Sequence, residues 1–116
     1  HPAPLIFHED GSIERMETGG PLLGFDSEFT YEMGEIRLQK GDVFLLYTDG
    51  VTEIIGKAGQ VLDESGMIKA FNNDPDKKMA RISSDLLARL EKFNGKPSFE
   101  DDLTLILARY TGTPEL

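Results

Sequence analysis

Two strongly apolar segments, each joined to carboxylates at one end, most constrain how this chain folds. The first covers residues 41–53, where Val43–Tyr47 runs directly into Thr-Asp-Gly. The second covers residues 103–110 and follows Glu-Asp-Asp. Both segments are too apolar for a sheet with one solvated face, so they predict two buried strands. Two such strands can bring their terminal acids together, and clustered carboxylates are how proteins hold hard divalent cations.

The composition is that of an ordinary globular domain. With 116 residues, 39% of them hydrophobic and 28% charged, the chain can build one modest core. No apolar run approaches the roughly 18–20 residues of a membrane span, and no signal peptide is recognisable, so we expect no membrane association. The chain has no cysteine, which excludes a disulfide framework, a cysteine zinc site and a cysteine nucleophile, and which suits the cytoplasm.

The charge of the chain narrows the classes of function further. A formal net charge of −9 argues against nucleic acid as a partner, because such binding needs lysine and arginine to neutralise phosphates. An acidic protein that handles phosphate needs a positive group at its site, and a bound metal ion is the simplest source. The histidines are His1 and His8, and no Gly-Lys-Ser/Thr loop occurs, which disfavours a Ser-His-Asp hydrolase and a P-loop nucleotide site.

The first half of the chain predicts β structure. Residues 4–8 and 13–18 form a predicted hairpin around an Asp-Gly turn. Residues 29–33 alternate large apolar and polar side chains, the pattern of a half-buried strand. A turn at residues 39–42 leads into the first apolar strand.

The second half predicts helices and a closing strand. Asp63 caps a helix through residue 71, and a second helix is predicted over residues 74–94, between an Asp-Pro start and an Asn-Gly stop. One apolar stripe on the second helix consists of Met79, Ile82, Leu86, Leu87, Leu90 and Phe93. This order predicts an α+β architecture, with helices packed on one face of an antiparallel sheet.

The two apolar segments also resemble a known family. Leu-Tyr-Thr-Asp-Gly-Val-Thr-Glu at residues 46–53, followed by Asp-Asp-Leu-Thr-Leu at residues 101–105, resembles the metal-dependent, type 2C-like (PPM) protein serine/threonine phosphatases, in particular the SpoIIE/RsbU-like branch. His-Pro-Ala-Pro-Leu at residues 1–5 and Gly-Pro-Leu-Leu-Gly at residues 20–24 fit the same branch. The resemblance therefore runs from His1 to about residue 110.

The resemblance implies an antiparallel β-sandwich flanked by helices, of which this chain carries only the C-terminal portion. Family members have further acidic ligands in an upstream half, around an Asp-x-x-Gly-His-Gly type motif, and no such motif occurs here. Residues 1–116 are therefore expected to be the C-terminal half of a phosphatase domain, with residues 111–116 as a frayed tail. Because both apolar strands need cover on both faces, the chain by itself is expected to form a homo-oligomer.

The activity that the resemblance implies is the dephosphorylation of phosphoserine and phosphothreonine in proteins. Two Mn²⁺ or Mg²⁺ ions, held by carboxylates, would activate a water molecule that attacks phosphorus without a covalent intermediate. The usual substrate in this branch is a small phosphorylated regulator of the anti-anti-sigma type. The 116 residues alone are expected to be inactive. The alternative is a non-catalytic module that only docks a signalling partner.

The metal ligands that the resemblance implies are Asp49 and Asp101. Each could instead be an ordinary turn or loop residue. Gly50 would leave room for the metal and its waters, Asp102 would hold backbone amides, and Thr104 would support the site through its hydroxyl. These three are candidates for direct or indirect contact with the metal, and no catalytic residue beyond the ligands is expected.

Four other polar residues receive structural interpretations. Glu53 is expected to be an acid at a helix N-terminus, favoured there by the helix dipole, rather than a ligand. Asp42 is expected to shape its own turn, and His8 to lie on the surface of a strand. No catalytic role follows for His1.

Overall fold

Four antiparallel strands form one sheet in the computed structural model, which describes residues 2–20 and 23–113. The strands are β1 (Leu5–Phe7), β2 (Ile13–Arg15), β3 (Val43–Tyr47) and β4 (Leu105–Arg109), in the spatial order β2-β1-β3-β4. Leu45 of β3 lies opposite Leu5 on one side and Leu107 on the other. The first predicted apolar strand is therefore central, and the second forms the edge of the sheet.

Some sequence expectations fall outside the described residues. These are the interpretation of His1, the middle of the Gly-Pro-Leu-Leu-Gly segment at residues 21–22, and residues 114–116 of the predicted tail.

The helices cover one face of this sheet, which confirms the α+β prediction. They are α1 (Asp49–Thr52), α2 (Asp63–Ala70) and α3 (Met79–Asn94). The buried core between the helices and the sheet consists of Leu5, Phe7, Val43, Leu45, Tyr47, Val51, Ile54, Leu62, Met67, Phe71, Ile82, Leu86 and Leu90. The alternate residues of β3 in this set are the ones that face the helices, as the two-residue period of a strand requires.

The opposite face of the sheet is apolar and is open at β3 and β4, whereas Ile6 of β1 on the same face is buried. Ile106 of β4 is 54% exposed, and Phe44 and Leu46 of β3 are only partly buried. The second sheet of the expected sandwich is not formed by the part of the chain that the structure describes. No helix within residues 2–20 and 23–113 is long and apolar enough to cross a membrane.

The predicted strand at residues 29–33 is wrong, because this segment has no strand structure. The rings of Phe29 and Tyr31 pack edge to face, with centroids 5.1 Å apart, while Met33 is 88% exposed. Alternating side chains produce a strand only where a neighbouring strand supplies hydrogen bonds and a core receives the apolar side. Residues 29–33 pair with no described strand, so their pattern does not decide their structure.

The predicted start of the long helix is also wrong. The helix begins at Met79 rather than near Asp74, although it ends at Asn94 as predicted. The carboxylate of Asp74 accepts the N–H of Asp76, which makes a local turn. The guanidinium of Arg109 donates to the carbonyls of Asp74 and Lys77. These carbonyls are held by β4, so the segment before Met79 is fixed as a loop.

Candidate metal centre

Three carboxylates converge where β3 ends and β4 begins. One carboxylate oxygen from each of Asp49, Glu53 and Asp101 lies within 4.8 Å of the other two, and all three residues are exposed. Among residues 2–20 and 23–113, no other three or more acidic or histidine side chains have this geometry. Oxygen ligands at such a spacing suit a hard divalent cation.

The convergence follows from antiparallel pairing of the two apolar strands. Tyr47, the last residue of β3, lies opposite Leu105, the first residue of β4. Asp49 follows β3 as the first residue of α1, and Asp101 lies in the segment that enters β4. The acids at the ends of the two apolar strands thus lie close together, as the sequence predicts.

Two hydrogen bonds extend the contact between the strands beyond the sheet. The N–H of Thr48 donates to the carbonyl of Thr104 at 3.1 Å. The N–H of Thr104 donates to the Oγ1 atom of Thr48, also at 3.1 Å. Thr104 therefore contacts the neighbouring segment through its backbone rather than through the hydroxyl that the family resemblance implies. The sequence does not single out Thr48.

Gly50 lies directly against the segment that carries Asp101. A Cβ atom at Gly50 would lie 2.0 Å from the carbonyl oxygen of Asp102. No side chain fits at that distance, because the obstructing atom belongs to the backbone. The structure thus gives Gly50 a second reason to be glycine: it lets two backbone segments approach.

The roles expected for the adjacent acids at residues 101 and 102 are exchanged in one respect. Asp102 was expected to hold a backbone amide, but it is Asp101 whose Oδ1 accepts the N–H of Asp102, at 2.7 Å. This bond fixes the orientation of the Asp101 carboxylate. Asp102 is not part of the three-carboxylate group.

Glu53 is the third acid of the group, and the sequence does not predict it as a ligand. Glu53 was expected at a helix N-terminus, but it is the C-terminal cap of α1, where the dipole does not favour an acid. It lies four residues after Asp49, and residues at that spacing share one face of a helix. The signal was therefore present in the Asp-Gly-Val-Thr-Glu sequence, once the segment is read as a helical turn.

A cleft beside the group is lined by two of the three acids, Glu53 and Asp101. Its volume is about 280 Å³. It is lined by Gly50, Glu53, Ile54, Ile55, Asn94, Phe99, Glu100 and Asp101. A ligand that reaches a cation held by Glu53 and Asp101 would therefore meet both acidic and apolar surface.

His8 and Asp42 form a separate polar cluster at the other end of β3. Asp42 is 2% exposed, and its Oδ2 accepts hydrogen bonds from the Nδ1 of His8 and the N–H of Gln39, both at 2.8 Å. Asp42 does shape its own turn, as expected. His8 is half-buried and paired rather than simply a surface residue, and its Nε2 lies 3.5 Å from the carboxylate of Glu14.

Comparison with known proteins gives a consistent set of relatives. The model of the family "Stage II sporulation protein E (SpoIIE)" matches residues 1–111. The chain is 29% identical over 103 residues to the phosphoserine phosphatase RsbU of Bacillus subtilis (strain 168). The matched region covers 87% of this chain and 30% of RsbU.

Solved structures share the fold. The SiaA-PP2C domain of Pseudomonas aeruginosa superposes with a TM-score of 0.74 at 17% identity, over 94% of this chain and 44% of that one. The phosphatase domain of the cell fate determinant SpoIIE from Bacillus subtilis gives 0.65 at 19% identity, over 99% of this chain and 49% of that one. The chain thus spans less than half the length of each of these relatives. With the family model matching nearly all of its residues, the chain belongs to the SpoIIE family.

Proposed function

We propose that this chain is part of a phosphoserine/phosphothreonine protein phosphatase that depends on Mn²⁺ or Mg²⁺. The observation that carries the proposal is the convergence of Asp49, Glu53 and Asp101 within 4.8 Å, where the paired strands β3 and β4 meet their connecting segments. Family membership supports the reaction, since the relative RsbU is named a phosphoserine phosphatase. A structure of the SpoIIE phosphatase domain described as Mn presoaked has a TM-score of 0.59 and supports the metal.

In this proposal Asp49 and Asp101 each supply an oxygen ligand, and Glu53 contributes a third carboxylate. When bound, a pair of divalent ions supplies an acidified water and neutralises charge that develops on the phosphoryl oxygens. The hydrogen bond from the Asp102 N–H holds the Asp101 carboxylate in place before any ion arrives. Gly50 contributes by allowing the close approach of the two segments.

The three carboxylates fit one hard divalent cation, but they are too few to hold two ions. A two-ion centre is usually held by more than three carboxylates and waters. We therefore propose that residues 1–116 are the C-terminal half of a phosphatase domain, and that further ligands come from the other half. The less-than-half coverage of the solved relatives and the open apolar face around Leu46 and Ile106 support this division.

The finer features of the proposal concern partners and location. The substrate is a phosphorylated protein of the anti-anti-sigma type, with no role for nucleic acid or a membrane, and the protein acts in the cytoplasm. The net charge of −9 supports the absence of nucleic acid as a partner, and the lack of cysteine suits the cytoplasm. The type of substrate follows from the family resemblance alone. Produced alone, the 116 residues associate into a homo-oligomer through the open face, because burying apolar area contributes roughly 25 cal/mol per Å².

The test is a phosphatase assay on the protein that carries this chain, expressed at its natural full length. We expect hydrolysis of p-nitrophenyl phosphate and of a phosphoserine protein that depends on added Mn²⁺ and is abolished by EDTA. The 116 residues alone should be inactive and should gain little thermal stability from Mn²⁺, because stabilisation follows the ratio of ligand concentration to Kd. A full-length protein that binds its partner without any metal-dependent hydrolysis would instead be the non-catalytic docking module.

A further inference from the structure

Thr48 occupies the point where the chain changes from strand β3 to helix α1. As the residue before Asp49, it is the N-terminal cap of α1. A threonine at this position usually accepts a hydrogen bond from an N–H in the first turn of its own helix. Thr48 makes no such side-chain bond to α1. Its Oγ1 instead accepts the N–H of Thr104, across the sheet.

The backbone of Thr48 explains why its side chain is used in this way. In an antiparallel ladder, a pair of opposite residues exchanges two backbone hydrogen bonds. The Thr48 N–H makes the first of these, to the carbonyl of Thr104. The Thr48 carbonyl is engaged elsewhere, since it accepts the N–H of Val51 in the first turn of α1 at 3.1 Å. The hydroxyl of Thr48 takes the place of that carbonyl and completes the pair.

Because the hydroxyl replaces the carbonyl as acceptor, the pairing of β3 with β4 extends by one residue pair, Thr48 and Thr104, while the helix begins. Without an acceptor on the Thr48 side chain, the Thr104 N–H would lose its partner and the segment from Asp101 would be tied by one bond instead of two. The contact between Gly50 and the Asp102 carbonyl limits how close the segments come. Hydrogen bonds to Thr48 draw them together, and the backbone at Gly50 stops the approach.

We propose that the Thr48 hydroxyl is a positioning group of the metal centre, which sets the separation between Asp49 and Asp101. This inference rests on the proposed function, and it adds a residue that contacts neither metal nor substrate. It also assigns the part played by Thr104 to its backbone N–H rather than to its hydroxyl.

The decisive variants change only the hydroxyl. Thr48→Val keeps the β-branched shape and removes the acceptor, while Thr48→Ser keeps the acceptor. Thr52→Val, in the same short helix, is the matched control. The hydroxyl of Thr52 lies 3.4 Å from the carbonyl of Asp49, beyond good hydrogen-bond length, and within residues 2–20 and 23–113 it has no closer hydrogen-bond partner. Thr104→Val retains the amide and should cost less than Thr48→Val.

The measurements are made on the full-length protein that carries this chain. For Thr48→Val we expect a Mn²⁺ affinity about 10–100-fold weaker, by electron paramagnetic resonance titration, the range that loss of a supporting hydrogen bond typically produces. Thr48→Ser should restore affinity to within about 3-fold of the parent, well short of that loss. Amide hydrogen exchange at Thr104, measured without metal, should be slow in the parent and Thr48→Ser and fast in Thr48→Val.

The two readouts separate this inference from the proposed function. If the parent has no Mn²⁺-dependent hydrolysis, the proposed function fails, whatever Thr104 exchange shows. If the parent is active and Thr48→Val keeps its Mn²⁺ affinity and its slow Thr104 exchange, the positioning role is overturned. Equal losses in Thr48→Val and Thr52→Val would also overturn it, because the effect would then belong to helix α1 as a whole.

Discussion

Strand β3 has an aspartate beside each end, and the two are in opposite situations. Asp42 precedes the strand, is 2% exposed, and accepts hydrogen bonds from His8, Gln39 and Glu9. Asp49 follows the strand, is exposed, and lies with two other carboxylates. Hydrogen-bond donors of the protein stabilise the Asp42 carboxylate. The Asp49 carboxylate instead lies beside two other acidic groups.

This difference separates a structural acid from a candidate ligand. Burial by itself raises the pKa of Asp42, but hydrogen bonds from Gln39, His8 and Glu9 outweigh it and hold that pKa below its ordinary value. Three donors take most of the acceptor sites of this carboxylate, and its burial keeps a hydrated cation away. The three carboxylates around Asp49 are exposed and repel one another, and a bound divalent cation would remove that repulsion. Position at the end of a core strand does not by itself indicate function; the donors around the carboxylate decide.

The largest expected effect is at the exposed end of β3. Asp49→Asn in the full-length protein should lower Mn²⁺-dependent phosphatase activity by more than about 100-fold, because loss of a ligand exceeds the effect of losing a supporting contact. Asp101→Ala should do the same, and neither should lower the melting temperature appreciably. Steady-state kinetics with a melting curve on each protein measures both effects. If Asp42→Asn, the same change at the buried end, also abolished activity per folded molecule, the distinction between a structural Asp42 and a ligand Asp49 would be wrong.

The glycines next to the two aspartates should also differ. Gly50→Ala places a Cβ 2.0 Å from the Asp102 carbonyl, so we expect activity and Mn²⁺ affinity to fall about 10–100-fold, like loss of a supporting contact. Gly41 has φ +98°, so Gly41→Ala should cost about 1–2 kcal/mol of stability with activity retained. Urea denaturation together with Mn²⁺ titration distinguishes the two. Unchanged metal affinity in Gly50→Ala would contradict the close approach.

At the buried end, the expected loss is in stability. Asp42→Asn removes the charge from a carboxylate with three donors, and hydrogen bonds to charged groups contribute about 1.5–3 kcal/mol, so unfolding free energy should fall by about 2 kcal/mol. Asp49→Asn in metal-free protein should leave stability unchanged or slightly raise it, because it relieves repulsion. Chemical denaturation in EDTA measures both. A reversal of this order would mean that the roles of the two aspartates are misassigned.

The smallest effect is a pH dependence at His8. Its hydrogen bond to Asp42 raises the pKa of His8 above 6.5, against the lowering effect of burial, with Glu14 adding to the rise. The acids that face this ring are Asp42, Glu14 and Asp10. A raised pKa contributes stability that is complete below 6.5 and is lost as the pH rises through the folded value. His8→Gln should therefore be less stable than the parent at about pH 6, with the gap shrinking by about pH 8. A gap that widens with pH would refute the pairing.

The sequence predicted the parts of the fold that rest on continuous apolar patterns. The strand at Val43–Tyr47 and the stripe on α3 follow directly, because burial leaves few alternatives for such residues. The alternating pattern at residues 29–33 wrongly predicted a strand, because no strand in the described part of the chain pairs with this segment. The start of α3 depends on Arg109 of β4, which donates hydrogen bonds to the carbonyls of Asp74 and Lys77. The local sequence around residues 74–79 does not indicate such a distant contact.

The site was predictable to a similar extent. Asp49 and Asp101 remain a prediction as ligands, but their proximity followed from the apolar strands that carry them. Glu53 was missed because it was expected at a helix N-terminus, whereas the helix starts at Asp49 and Glu53 is its C-terminal cap. Thr48 could not be identified, because its role depends on where its own carbonyl is used, and that is decided by the start of a helix.

The pairing of β3 with β4 also has a consequence for how the protein is made. All three helices lie in the chain between these two strands, so their contact closes a long loop, and such non-local pairing is slow to form. During synthesis, residues 105–109 must leave the ribosome before Asp49 and Asp101 can meet. The three carboxylates therefore come together only when nearly the whole described chain has emerged, and a ribosome-bound chain that lacks β4 has not yet assembled this acidic group.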